Sequence, residues 1–227
     1  MLNPVEVKVI KAIIVRFLSK GYSEVNELIK NTSIPYNVLV NTLRKFEELN
    51  LIKIVNKRLE PINLWELLVW SIANNVYDPE YLLGYVDWRM FEMFVCEVLK
   101  RMGYNVTRGF RFKHAGRLFE VDIIASHNSR VLAIDCKHWS RSRISQLRNA
   151  ITKHLERVKM FSKISSIKLG LQGTIYPVIV VWKDIPLRII DGVAIVSIFR
   201  FRDFIVNIWN YQNLLVSFKS VKRGLFM

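Results

Sequence analysis

Four side chains in the middle of the chain have the types and spacing for one kind of chemistry: Glu92, Asp122, Asp135 and Lys137. Asp122 lies in the run Glu120-Val121-Asp122-Ile123-Ile124, and Asp135 and Lys137 end the run Ile134-Asp135-Cys136-Lys137. Carboxylates together with a backbone carbonyl, here that of Cys136, are the hard oxygen ligands Mg²⁺ prefers, and Mn²⁺ can take its place. An ion held this way lowers the pKa of a bound water and neutralises charge building on a phosphorus centre. A neighbouring lysine can orient or deprotonate the attacking water, or stabilise the developing negative charge. Carboxylates buried together without any cation would be costly. Asp135 and Lys137 alone say less, because a surface ion pair at a strand end has the same composition and adds little stability.

For these residues to meet, the flanking segments must form a particular set of elements. Asp87 can cap a helix from Trp88 to Arg101, with Phe91, Phe94, Val95, Val98 and Leu99 as its buried stripe and Glu92 in its first turns. Strands are predicted over 105–111, 118–125 and 130–135, the last two joined by the turn Ser126-His127-Asn128-Ser129. Strand side chains alternate, so Asp135 and Lys137 share a face, and Glu120 and Asp122 share one too. An antiparallel hairpin lets both acidic pairs converge, and Glu120 either supports the site from behind or pairs with an arginine. A basic helix is predicted over 141–162, with Ile144, Leu147, Ile151, Leu155 and Val158 facing inward. Residues 175–182 are nearly all apolar, as in a central strand covered on both faces. A strand over 192–199 and a closing helix over 201–209 complete the order α-β-β-β-α-β-β-α. This is an α/β domain with a mixed sheet and flanking helices.

The N-terminal region reads differently. A helix is expected over 4–20, a short one capped by Ser23 up to about Asn31, and a third opened by Pro35 and ended near Asn50. Leu51–Val55 and Leu59–Ile62 then form a hairpin around Asn56-Lys57-Arg58. This order resembles the winged helix-turn-helix superfamily, an α+β domain whose third helix would present Asn41, Arg44 and Lys45, with Lys57 near the wing. Residues 63–86 hold an apolar stretch with Trp65, Trp70 and Tyr77, expected as a linker helix or dimer surface. The domains are therefore drawn at 1–62, 63–86 and 87–227.

The chain has 227 residues, 51% hydrophobic, with a net charge of +15, a composition that excludes disorder and fibrous repeats. Residues 101–227 carry 22 basic and 7 acidic side chains, so the positive excess lies on the segment that holds the acidic cluster. Such an excess suits a polyanion such as DNA. Arg111 and Lys113 in the first hairpin, and Arg141, Arg143 and Arg148 on the basic helix, are the candidate phosphate contacts. No apolar run reaches the ~20 residues of a spanning helix, and no signal peptide is visible. Two cysteines, Cys96 and Cys136, make no disulfide framework, and the four histidines have no metal-ligand spacing. A cytoplasmic protein without membrane contact is the expectation.

The stretch from Arg89 to Trp139 resembles the PD-(D/E)XK nuclease superfamily, and within it the Mrr-type restriction endonucleases and archaeal Holliday-junction resolvases. The resemblance rests on Phe91-Glu92, Gly103-Tyr104, Val121-Asp122 and Asp135-Cys136-Lys137. It implies that Asp122 and Asp135 are metal ligands, that Lys137 is the catalytic lysine, and that Glu92 helps hold metal or water. Gln146 matches, more loosely, a polar position on the following helix. Val121 stands where the superfamily name has proline, and Asp135 where many Mrr-type enzymes have glutamine. The implied activity is a Mg²⁺-dependent DNA endonuclease of restriction or defence type; since two strands must be cut, a homodimer is expected. A DNA-binding protein without cleavage and a junction resolvase are the alternatives.

Overall fold

A computed structural model describes residues 2–82, 84–139, 144–171 and 173–220. They fall into two units, Met1–Val86 and Asp87–Met227.

In the first unit, α1 (Pro4–Lys20) starts on a reciprocal cap. The Asn3 side chain accepts from the Glu6 amide, Glu6 accepts from the Asn3 amide, and Gly21 ends the helix at φ 80°. Next come β1 (Ser23–Glu24), α2 (Val25–Thr32), α3 (Tyr36–Glu48), β2 (Ile52–Val55) and β3 (Arg58–Pro61). The strands form an antiparallel sheet in the order β1-β3-β2. Asn56 and Lys57, both at positive φ, make the two-residue hairpin turn. Ser23 is not the cap of α2: it is buried in β1 opposite Leu59, and Glu24 takes the cap position with no side-chain bond. Nor is Asn50 the cap of α3, a place Leu49 takes; Asn50 follows at φ 54°.

The stretch after residue 62 is not one helix. Asn63 caps α4 (Leu64–Ala73), which stops where Asn75 takes φ 55°, and a short α5 (Pro79–Leu82) follows. Phe46 meets Trp70 edge-on and the Tyr77 hydroxyl donates to the Lys11 carbonyl. This stretch thus packs inside the first unit rather than standing apart as a linker. Trp65, Leu67 and Leu68 are buried there, so most of the apolar surface expected to be free for dimerisation is already used.

The second unit opens with α6 (Trp88–Arg101), where the Asp87 side chain accepts from the Met90 amide and Gly103 follows the last turn at φ 80°. Then come β4 (Asn105–His114), β5 (Arg117–His127), β6 (Arg130–Lys137), α7 (Ile144–Leu169), β7 (Thr174–Val181), β8 (Arg188–Ile190), β9 (Val193–Ser197), α8 (Phe201–Asn207) and β10 (Phe218–Lys219). The sheet runs β4-β5-β6-β7-β9-β8, with β10 on β7. β6, β7 and β9 are parallel, and β4, β5 and β8 pair antiparallel. This is a mixed α/β sheet. β8 and β10 were not expected; three and two residues long, they carry too little periodicity to show in a sequence.

α7 lies on one face of the sheet. Val158 and Phe161 pack with Phe112, Val121, Ile124, Val131 and Ala133, while Leu147 and Ile151 pack with Ile179, Val181, Val193 and Ile195. Burying side chains of this size contributes about 1.5–3 kcal/mol each, which fixes the helix against the parallel strands.

Candidate active site

β5 and β6 pair from His127↔Arg130 to Ile123↔Ile134 and then part, while β6 continues beside β7 to Lys137↔Val181. Beyond Ile134 the amide of Cys136 has lost its ladder partner, and Asp122 replaces it. Its Oδ2 accepts the Cys136 N–H at 2.8 Å. On the other side of β5, pairing with β4 skips the position between Arg108↔Ile123 and Phe110↔Val121, where Gly109 sits at φ 62°.

This kink disturbs the simple alternation. Val121 and Ile124, three residues apart, both pack into the α7-facing cluster. Asp122 turns to the Cys136 amide, while Glu120 stands opposite Arg111 in the β4–β5 ladder and takes the pairing with an arginine. Glu120 is exposed and lies 2.8 Å from Arg111 Nε.

Asp135 is 1% exposed. Arg157 Nη1 donates to its Oδ1 at 2.7 Å, and Lys137 Nζ lies 2.8 Å from Oδ2. Burial alone would raise the carboxyl's pKa, but His154, Lys137 and Arg157 outweigh it and hold it below the ordinary range. His154 is itself buried, which pushes its pKa down to about 4, so the ring is neutral at pH 7. Its Nε2–H donates to the Ala133 carbonyl at 2.9 Å. The charges that compensate Asp135 at neutral pH are thus Lys137 and Arg157.

The other two carboxylates behave in the opposite way. Burial, and then the charge of Asp135, push Asp122 up to about 6 against the Cys136 amide, Lys137 and Arg157. Burial and the charge of Asp122 push Glu92 up to about 7, with Glu120 adding and Arg108 opposing. Glu92 and Asp122 are therefore close enough to feel each other and lack full cationic compensation. The Cys136 thiol is driven well above its ordinary value by burial and by the surrounding carboxylates. It stays protonated, and the residue's carbonyl is the group it can offer an ion.

Asp135 and Lys137 line a cleft of about 270 Å³ beside α7, together with Gln146, Asn149, Lys153 and Arg157. Gln146 thus lies in one cleft with the two β6 residues. Asn149 was missed, and Lys153 and Arg157 were expected only among the phosphate-tracking cations of the basic helix, although Gln146, Asn149, Lys153 and Arg157 recur at the spacing of one helix face. Trp139 also lines the cleft, whereas His138 packs with Phe91 and Trp182. Among the described residues no three His, Cys, Asp or Glu side chains are gathered as a metal site.

The expected DNA contacts divide. Asn41, Arg44, Lys113 and Arg148 are exposed, and so is Lys57 at the turn. Arg111 is exposed but paired with Glu120. Lys45 is exposed too, but its Nζ is 2.6 Å from Oε1 of Glu6, whose buried charge needs that partner. Arg141 and Arg143 lie outside the described residues. No helix among the described residues is long and apolar enough to cross a membrane.

A family model described as a restriction endonuclease (Mrr_cat) matches residues 83–168. An uncharacterised protein of Archaeoglobus fulgidus is 30% identical over 126 residues, which are 55% of this chain and 93% of that protein. A UPF0102 protein of Thermotoga neapolitana is 28% identical over 91 residues, 40% of this chain and 80% of the relative. The solved structure of Can2 from Sulfobacillus thermosulfidooxidans, in complex with cyclic tetra-adenylate, overlays 89% of this chain at 11% identity and a TM-score of 0.35. The chain spans 50% of that structure's length, and so loose an overlap has no bearing on activity.

Proposed function

The chain belongs to the PD-(D/E)XK, restriction-endonuclease-like superfamily, and from that premise we propose that its second unit is a Mg²⁺-dependent DNA endonuclease. The observation that supports this most is the Asp122 carboxylate bound to the Cys136 amide where β5 leaves β6. It brings Asp122 beside Asp135 and Lys137 at the open end of the sheet. Asp122, Asp135 and the Cys136 carbonyl would hold the ion, with Glu92 close by. The raised proton affinities of Asp122 and Glu92 fit a pocket short of positive charge. When bound, the ion supplies acidity to a water and neutralises charge on the phosphate.

The protein's own groups do the rest. Lys137 places its ammonium on a non-bridging phosphate oxygen. Glu92, poised at about 7, takes or returns a proton near neutral pH. Gln146, Asn149 and Lys153 steady the strand along the cleft. The first unit acts as a winged helix, a reading supported by its order α-β-α-α-β-β and its β1-β3-β2 sheet. Asn41, Arg44 and Lys57 are its DNA contacts. A homodimer follows from the need to cut two strands, in the cytoplasm where such a substrate is found.

The test is cleavage of plasmid, nicked, four-way-junction and methylated DNA with Mg²⁺, Mn²⁺ or EDTA. Metal-dependent cutting that Asp135→Ala abolishes supports the proposal. Failure to cut any of them, or an active Asp135→Ala, refutes it. A preference for four-way junctions would identify a resolvase. One observation favours a second reading, a DNA-binding platform without cleavage: both oxygens of Asp135 already face cations. That reading predicts salt-sensitive binding and no cutting.

A further inference from the structure

Asp135 has two cationic neighbours, and they are not equivalent. Arg157 Nη1 makes an aligned hydrogen bond to Oδ1 at 2.7 Å. Lys137 Nζ is as close to Oδ2, at 2.8 Å, but as an ion pair without the alignment of the Arg157 bond. The lysine is held there by charge more than by direction.

Arg157 is also placed by a second contact. Ala133 and Asp135 are two apart on β6 and share a face, and His154 and Arg157 are three apart on α7 and share a face. The neutral His154 ring donates to the Ala133 carbonyl at 2.9 Å. That bond sets the rotation of α7 and brings Arg157 onto Asp135. Both Ala133 and His154 are completely buried.

We propose that Arg157 is a positioning residue: it is the resident counter-ion of Asp135, and it frees Lys137 to leave that carboxylate for a substrate phosphate. A carboxylate this buried cannot be left without a cation. If Lys137 were its sole partner, drawing the lysine onto DNA would strand the charge. With Arg157 fixed on Oδ1, Asp135 stays compensated while Lys137 moves. This deepens the nuclease proposal and rests on it.

The experiment is a double-mutant cycle in DNA binding, run on the full chain in EDTA so that no cleavage is needed. Anisotropy of a short labelled duplex gives Kd for wild type, Lys137→Met, Arg157→Gln and the double variant. In the wild-type background Lys137→Met weakens binding about fivefold, because a phosphate contact is lost. In the Arg157→Gln background the same change has less than a twofold effect, because Lys137 is already locked on Asp135. Cleavage with Mg²⁺ at saturating DNA falls at least thirtyfold in Arg157→Gln, and Arg157→Lys restores it to within about fivefold of wild type. A purely structural role would not show that rescue by charge. Equal effects of Lys137→Met in the two backgrounds overturn the proposal while leaving the nuclease reading intact. So does an Arg157→Gln that cuts at the wild-type rate. A wild type that neither binds nor cuts DNA overturns both.

Discussion

Asp122→Asn removes a charge and keeps a hydrogen bond, since the amide oxygen can still accept the Cys136 N–H. Asp122 is raised from 3.8 to about 6 in the folded protein. That difference corresponds to at most about 3 kcal/mol by which folding disfavours the ionised form. The direction follows from proton counting. Between pH 4 and 6 the folded state holds the proton that the unfolded state has released. Wild type therefore loses stability as pH rises through this window, and the loss is complete above it. Asp122→Asn has no such loss. Because Asp122 and Asp135 titrate together, the expected gain at pH 7.5 is about 1–3 kcal/mol, shrinking towards zero at pH 4. For a unit of this size that is a rise in Tm of about 3–10 °C at pH 7.5. Thermal melts in EDTA at pH 4, 6 and 7.5, followed by tryptophan fluorescence, measure it. The same variant cleaves no DNA. The reasoning fails if Asp122→Asn melts below wild type at pH 7.5, or if its advantage is as large at pH 4.

Three further outcomes follow from the geometry. Lys45→Met lowers stability by about 1 kcal/mol in urea titration, because Glu6 loses its partner, and changes DNA affinity less than threefold. Arg44→Gln and Lys57→Gln each weaken duplex binding without base preference and reduce the slope of log K against log salt by about 1, measured by anisotropy. Neither Cys96 nor Cys136 is alkylated by iodoacetamide at pH 8 in the native protein, because burial raises Cys96 to about 11 and Cys136 is raised as well. Mass spectrometry reads this directly, and rapid labelling of Cys136 would contradict the account.

The elements that carry the four candidate side chains were legible because helix and strand periodicity and short hairpins are local properties. The Asp87 cap, the stripe of α6, the turn at Ser126–Ser129 and the apolar run of β7 all act over a few residues. What alternation could not convey was the kink at Gly109. A positive-φ glycine in a strand leaves no trace in a hydrophobic pattern, and which of its two expected roles Glu120 takes emerges only from the ladder that sets it opposite Arg111. Arg157 was hidden for another reason. In a helix rich in cations, nothing local distinguishes the one that faces a buried carboxylate. The stripe Gln146, Asn149, Lys153, Arg157 was available, but it gains meaning only once β6 is placed beside it. Lys45 illustrates the same point in the first unit, where its partner Glu6 is on another helix. Pairings between distant segments depend on packing, which sequence spacing does not encode.

The central claim is that Asp122, Asp135 and Lys137 form a working hydrolytic site. The most direct measurement is nicking of supercoiled plasmid by wild type and by Lys137→Met, purified identically and compared with 5 mM Mg²⁺ and with EDTA. The account predicts cutting by wild type with Mg²⁺ only, and at least a hundredfold less by Lys137→Met, which still binds DNA. Equal cutting by the two proteins, or cutting that persists in EDTA, would contradict it.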